Sequence, residues 1–148
     1  MVLFTGNDTL DAILNTKMSF AEQRGIRCAT EVTCAKLPLA QADISVLMGN
    51  LLDNACEAAE RASEKKISVK IIRQGNYVSI CVENTVEAPV LAENPILKTT
   101  KADKSVHGLG TKNIRKIVEK YSGMMEYREY GNMFLCDILI PFDTRYDG

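Results

Sequence analysis

The sequence is poor in the features that metal, disulfide and membrane proteins depend on. It has one histidine, His107, and its five cysteines (Cys28, Cys34, Cys56, Cys81 and Cys136) form no C-x-x-C pair and are odd in number. That argues against a zinc site or a disulfide framework and fits a reducing compartment. No apolar run approaches the ~18 residues needed to cross a bilayer. No signal peptide is evident at Met1, and there is no internal repeat or low-complexity segment. Net charge is −1 without a long basic run, which makes nucleic acid a poor match as a partner. What remains is a 148-residue chain with 46% hydrophobic and 25% charged residues, the composition of one soluble domain around one core.

The stretch Ile44–Arg61, ISVLMGNLLDNACEAAER, reads as the helix around which the rest is arranged. Ile44, Leu47, Leu51, Ala55, Ala58 and Ala62 recur at helical spacing and mark a buried face. Asn50, Asp53, Asn54, Glu57 and Arg61 form a second, polar stripe. Asparagine is a mediocre helix former, because its amide competes for backbone hydrogen bonds. Two of them one turn apart read either as part of a solvated face or as a row looking into a ligand cavity. Carboxamide oxygens are hard, neutral ligands suited to a Mg²⁺ that keeps waters and binds nucleotide phosphates.

The other elements follow from periodicity and punctuation. Residues 8–24 read as a helix capped by Asp8 and stopped by Gly25, with Leu10, Ile13, Leu14, Met18 and Ala21 on one face. Ile26–Val32 is a short strand, and Asp43 is a candidate cap for the long helix. Ile67–Arg73 and Tyr77–Asn84 form a hairpin around Gln74-Gly75-Asn76. Val78, Ile80 and Val82 alternate with polar neighbours, so period two places Asn84 on the core face and Glu83 on the other. Residues 88–107 show no regular spacing, which in a small domain suggests a functional lid. After His107-Gly108-Leu109-Gly110-Thr111 comes a helix with Ile114, Ile117, Val118 and Tyr121 on one face and Gly123 just past its end. Met124–Tyr130 and Met133–Ile140 form a last hairpin around Gly131-Asn132.

This order predicts an α+β fold: a two-layer α/β sandwich with a mixed sheet of about five strands, covered on one face by about three helices. The glycines at 108 and 110 open a helix, where backbone N–H groups and the helix dipole favour a phosphate. A tight turn is the alternative reason for them. No βαβ unit carries this GxG, so a dinucleotide-binding Rossmann reading fails.

Together these stretches resemble the GHKL ATPase and kinase superfamily. Asn50-Leu51-Leu52-Asp53-Asn54-Ala55 looks like its N-box, and His107-Gly108-Leu109-Gly110 looks like its second glycine-box. The sequence is most similar to the ATP-binding catalytic domain of sensor histidine kinases of the peptide-pheromone-receptor subfamily. Asn50–Ala58 matches that subfamily's N-L-L-D-N-A-x-E-A, Thr5–Lys17 its T-G-N-x-x-L-D-x-I-L-N-x-K, and Thr99-Thr100-Lys101 the T-S/T-K of its lid.

The resemblance covers nearly all of residues 1–148 as a single domain and implies a Bergerat-type fold, with ATP held under a mobile lid at about 88–107. It implies that Asn54 coordinates Mg²⁺ and that Asn50 supports the metal site. Glu57, Asn84, Lys101, Gly108, Leu109, Gly110 and Thr111 would complete the nucleotide contacts. The hydrolytic branch has Glu at the Asn50 position, and Asn cannot act as a general base, so phosphate transfer is expected over hydrolysis. The acceptor histidine would lie on an upstream dimerisation domain, and a response regulator would act downstream. The chain would then be a soluble, cytoplasmic fragment of a membrane-bound bacterial homodimer. An anti-sigma-factor-type serine kinase, or a non-catalytic GHKL module, are the alternatives.

Two departures stand out. The D-x-G-x-G motif that holds adenine is replaced by Asn84-Thr85-Val86-Glu87-Ala88, although the subfamily tends to show Asn there. Asn84 can accept a hydrogen bond from the adenine amino group as Asp would, but its NH₂ can also donate, so discrimination against guanine is expected to be looser. On this reading Asn84→Asp keeps or tightens ATP binding. The alternative is that Asn84 merely caps a turn. Thr111 stands where Leu is more common, without an evident reason.

Overall fold

In a computed structural model, which describes residues 2–88 and 107–142, the chain forms three helices and five strands in one sheet. They are α1 (Asp8–Gln23), β1 (Arg27–Val32), α2 (Gln41–Arg61), β2 (Lys66–Gln74), β3 (Tyr77–Thr85), α3 (His107–Lys120), β4 (Met124–Tyr130) and β5 (Met133–Pro141). The strand order is β1-β2-β3-β5-β4. β1 and β2 are parallel, as the crossover through α2 requires, and the other pairs are antiparallel. This is the expected mixed five-stranded α+β sandwich.

Register sets the core. Ile71 of β2 lies opposite Ile80 of β3, Ile80 opposite Ile138 of β5, and Ile138 opposite Met125 of β4. All three isoleucines are fully buried, and all three helices lie on this face. Among the described residues no helix covers the other face, where Arg128 pairs with Asp137 and the Tyr130 hydroxyl donates to Glu83. The two-residue hairpin turns use left-handed glycines, Gly75 (φ 60°) and Gly131 (φ 57°).

The long helix is more buried than its periodicity suggests. Met48, Leu52, Cys56 and Ala59 are buried along with Ile44, Leu47, Leu51 and Ala55, while Ala58 is half-buried. A single apolar face would serve the sheet alone, but α2 packs against the sheet, α1 and α3 at once.

Both expected helix caps are corrected. α1 is capped by Asn7, whose side chain accepts from the Leu10 N–H at 3.0 Å, so Asp8 is its first residue. α2 starts at Gln41 after Ala40 and has no side-chain cap. Asp43 sits inside its first turn, where it accepts from Lys120 Nζ at 2.8 Å and from the Tyr121 hydroxyl. A carboxylate near a helix start suits the dipole, yet here a neighbouring helix claims it.

The stretch Thr5–Lys17 is a bracket for the incoming chain. The Asp11 carboxylate accepts from the Thr5 N–H at 2.9 and 3.0 Å, from the Thr5 hydroxyl and from the Gly6 N–H. The Asn15 amide takes both backbone groups of Leu3, accepting from its N–H at 2.7 Å and donating to its carbonyl at 2.8 Å. Asn7 donates to the Ala35 carbonyl, and Lys17 pairs with Asp53 at 2.8 Å, joining α1 to α2.

Candidate functional site

The polar stripe of α2 divides by direction. Asn50 and Asn54 face the first turn of α3. A side chain built on Gly110 would stand 3.2 Å from Asn50 Oδ1 and 3.4 Å from Asn54 Oδ1. Gly110 is buried, so glycine is needed there for a close approach rather than for a special backbone angle. Asn50 is oriented by donating its amide to the Val46 carbonyl at 2.7 Å, the i−4 pattern, which turns Oδ1 toward Gly110.

Asp53, exposed and paired with Lys17, points the other way. It lines, with Glu57, Phe20, Arg24, Cys56 and Glu60, a groove of about 300 Å³ between α1 and α2. Glu57, half-buried, lines the same groove from α2.

α3 begins at His107, so Gly108, Leu109 and Gly110 belong to its first turn, where backbone N–H groups lack intrahelical partners. Thr111 lies one position further, and its side chain is hydrogen-bonded to Tyr127 of β4. Burial raises the pKa of that tyrosine, whose ring stacks on Phe134 with centroids 5.5 Å apart. A leucine at 111 could not satisfy the hydroxyl, which gives the departure at Thr111 a physical reason. Sequence reasoning missed the pair, which only the α3–β4 packing reveals. Lys101 and the expected lid lie outside the described residues.

Near the end of β3, the central strand, Asn84 is buried on the core face and Glu83 faces away, as period two requires. Asn84 Nδ2 donates to the Thr85 carbonyl at 3.0 Å. A carbonyl accepts only, so the atom facing it must be the amide nitrogen, and Oδ1 is left for an incoming donor. Thr85 is itself fully buried. Its hydroxyl accepts from the Lys66 N–H at 3.0 Å, and the next residue, Val86, donates to the Asn132 carbonyl at 2.8 Å. Glu87 then accepts from both the N–H (2.7 Å) and the hydroxyl (3.0 Å) of Ser63. The end of β3 is therefore braced where the D-x-G-x-G motif, absent from this sequence, would carry glycines.

The remaining chemistry is sparse. Among the described residues no three His, Cys, Asp or Glu side chains are grouped to hold a metal ion. A bound divalent ion would need the charge of a phosphorylated ligand, with neutral oxygens from Asn54. The close approach of Asn50 and Asn54 to Gly110, where a Cβ would crowd both carboxamide oxygens, fits such a ligand set. All five cysteines are free, and burial pushes the Cys28 and Cys81 thiols up to about 11, which keeps them protonated. No helix among the described residues is long and apolar enough to cross a membrane.

Comparison with protein families finds the GHKL domain matching residues 39–141. The chain belongs to the GHKL domain family. The matched span runs from before α2 to the end of β5 and holds both the asparagine pair and the glycine-box. Curated protein sequences give no match. Among solved structures, this GHKL domain is similar to the nucleotide-free catalytic domain of histidine kinase ThkA, with a TM-score of 0.73 at 20% identity over 94% of this chain and 93% of that one. It is similar also to the Acinetobacter baumannii histidine kinase AdeS (TM-score 0.72, 16% identity, 95% of this chain and 66% of that one). The mycobacterial sensor histidine kinase MprB gives a TM-score of 0.70 at 14% identity, over 90% and 93%. At these identities the likeness is one of fold: the GHKL domain has the architecture of histidine kinase catalytic domains.

Proposed function

We propose that this GHKL domain binds ATP with Mg²⁺ and is the catalytic part of a sensor histidine kinase of the peptide-pheromone-receptor type. It would pass the γ-phosphate to a histidine on an upstream dimerisation domain, for a downstream response regulator. The whole protein would be a membrane-bound homodimer with this domain in the cytoplasm. One observation carries the reading. The carboxamides of Asn50 and Asn54 meet the buried backbone of Gly110, so neutral oxygen ligands adjoin the helix turn that offers unpaired N–H groups.

In this reading Mg²⁺ supplies charge neutralisation of the phosphates. Asn54 holds it through a carboxamide oxygen, and Asn50 supports the same site. Gly108, Leu109 and Gly110 present backbone N–H groups to the phosphates, and Lys101 adds a cation. Thr111 steadies the turn through Tyr127, and Glu57 contributes from the flank of α2. Asn50 has no basic lone pair with which to activate water, which favours transfer over hydrolysis.

Asn84 accepts from the adenine amino group. With its NH₂ held by Thr85, it does not switch to the donor that guanine would need. Discrimination against guanine is therefore expected to match that of an aspartate, tighter than the sequence alone suggests.

A titration with ATP, with and without Mg²⁺, tests the reading. Asn54→Ala is expected to lose most of the Mg²⁺-dependent part of the affinity. Equal Mg²⁺-ATP binding in that variant would remove Asn54 as the ligand. With no histidine besides His107, the isolated chain is expected not to phosphorylate itself but to phosphorylate an added acceptor domain. Phosphate retained on the isolated chain and lost in His107→Ala would contradict this.

A further inference from the structure

α2 and α3 run antiparallel, and two polar contacts mark the ends of their interface. At one end lies the contact of Gly110 with Asn50 and Asn54. At the other, the Tyr121 hydroxyl accepts from the Ala40 N–H at 2.9 Å and donates to the Asp43 carboxylate, which also takes Lys120 Nζ at 2.8 Å. Between them the interface is apolar, with Ile114, Ile117 and Val118 buried against the core of which α2 is the centre.

Apolar contact is non-directional and tolerates small sliding. A hydroxyl shared by an amide and a carboxylate does not, because its geometry fails within a few tenths of an ångström. The electrostatics agree, since Lys120 and Tyr121 hold the Asp43 carboxyl below its ordinary range.

The C-terminus of α3 is fixed in the other direction as well. Ser122 ends the helix with φ 57°, and a side chain built on Gly123 would be 2.6 Å from Ile140 Cδ1 and 2.7 Å from the Leu139 carbonyl oxygen. The helix is thus seated on β5 and clasped to α2 at its far end, while its first turn carries the glycine-box.

We propose that Tyr121 is a positioning residue for the phosphate side of the nucleotide site. Its hydroxyl fixes the axial register of α3 on α2, and through that the place of Gly110 beside Asn50 and Asn54, eleven residues or about 16 Å away along the helix. The inference rests on the nucleotide-binding reading above. It touches one half of that site only. Asn84 is held by Thr85, which Lys66 holds in turn, and by the strands of the sheet, none of which belongs to α3. A small shift of α3 therefore alters the phosphate contacts and leaves the adenine contact in place.

The test compares two ligands, Mg²⁺-ATP and adenosine, on the wild type, Tyr121→Phe and Asp43→Asn, with melting temperatures recorded for each. Tyr121→Phe removes both hydrogen bonds of the hydroxyl, and transmission of about one bond's net strength to the phosphate contacts predicts about a fivefold fall in Mg²⁺-ATP affinity. Adenosine affinity should stay within about twofold. Asp43→Asn should move in the same direction, and the double variant should be little worse than the worse single one, because both act on the shared Tyr121–Asp43 contact. Unchanged Mg²⁺-ATP affinity in a folded Tyr121→Phe, or equal losses for both ligands, would overturn the proposal. If Tyr121→Phe does not fold, Asp43→Asn decides by the same ratio. A wild type that binds neither ligand would sink the nucleotide reading itself, and this inference with it.

Discussion

At Asn84 a single atom assignment changes what the residue can do. The sequence places an amide where the superfamily has a carboxylate, and by chemistry alone the two are near equivalents for an adenine amino group. The Thr85 carbonyl breaks the equivalence. It takes the Asn84 NH₂ at 3.0 Å, and an aspartate there would set oxygen against oxygen. Asn84→Asp is therefore expected to weaken ATP binding and to cost roughly 1–3 kcal/mol of stability, the penalty of a buried acceptor facing an acceptor. That reverses the expectation from sequence. Denaturant unfolding and ATP titration of Asn84→Asp and Glu83→Ala check it; Glu83, on the uncovered face, should matter little. Thr111 is the second case. Thr111→Leu restores the commoner residue but strands the Tyr127 hydroxyl, and should destabilise by about 1–2 kcal/mol in denaturant unfolding. In a Tyr127→Phe background that penalty should shrink.

At the scale of elements, two glycines bound α3 and act differently. At Gly123 a Cβ would lie 2.6 Å from Ile140 Cδ1 and 2.7 Å from a backbone oxygen, so Gly123→Ala forces helix and strand apart. A loss of about 2–4 kcal/mol in chemical denaturation is expected. At Gly110 the neighbours are the side-chain oxygens of Asn50 and Asn54 at 3.2 and 3.4 Å, which can yield. Gly110→Ala should leave stability within about 1 kcal/mol and weaken Mg²⁺-ATP binding, because the methyl occupies the space between glycine-box and asparagines. Calorimetric titration beside thermal melting separates the two outcomes.

Much of this element scale was legible in the sequence. Hydrophobic period and turn glycines located every strand and helix within a few residues, because the sheet's alternation and the helix spacings are local properties. The caps were not legible. Asp8 and Asp43 both look like N-caps, but Asn7 is fixed by a bond to Ala35, and Asp43 is claimed by Tyr121, 78 residues away. The asparagine pair and the glycine-box were visible as motifs, whereas their meeting across 56 residues, Asn54 to Gly110, belongs to packing.

Over the whole molecule, two carboxylates tie separate parts together and make stability depend on acid. Asp11 is held below its ordinary value of 3.8 first by the Thr5 hydroxyl, and Asp43 first by Lys120 and then by Tyr121. Groups with a lowered folded-state pKa contribute fully when ionised, so their support is complete above roughly pH 5 and is lost as pH falls through and below about 4. The melting temperature should drop over that range. A variant carrying Asp11→Asn and Asp43→Asn should start lower and fall less steeply; parallel curves would show that other carboxylates dominate. The Asp11 bracket has a mechanical side too. Leu3 and Thr5 are fastened to Asn15 and Asp11, four residues apart on α1, so two residues of extended chain (about 7 Å) lie along one turn of helix (about 6 Å). Because the segment lies alongside α1, a pull along the helix axis loads these bonds together, in shear rather than one after another. Because Asn15 grips both the N–H and the carbonyl of Leu3, the segment cannot roll about its own axis without breaking both. Tension or torque applied to residues 2–7 is handed to α1 as a rigid body, and the Lys17–Asp53 pair carries it on to α2.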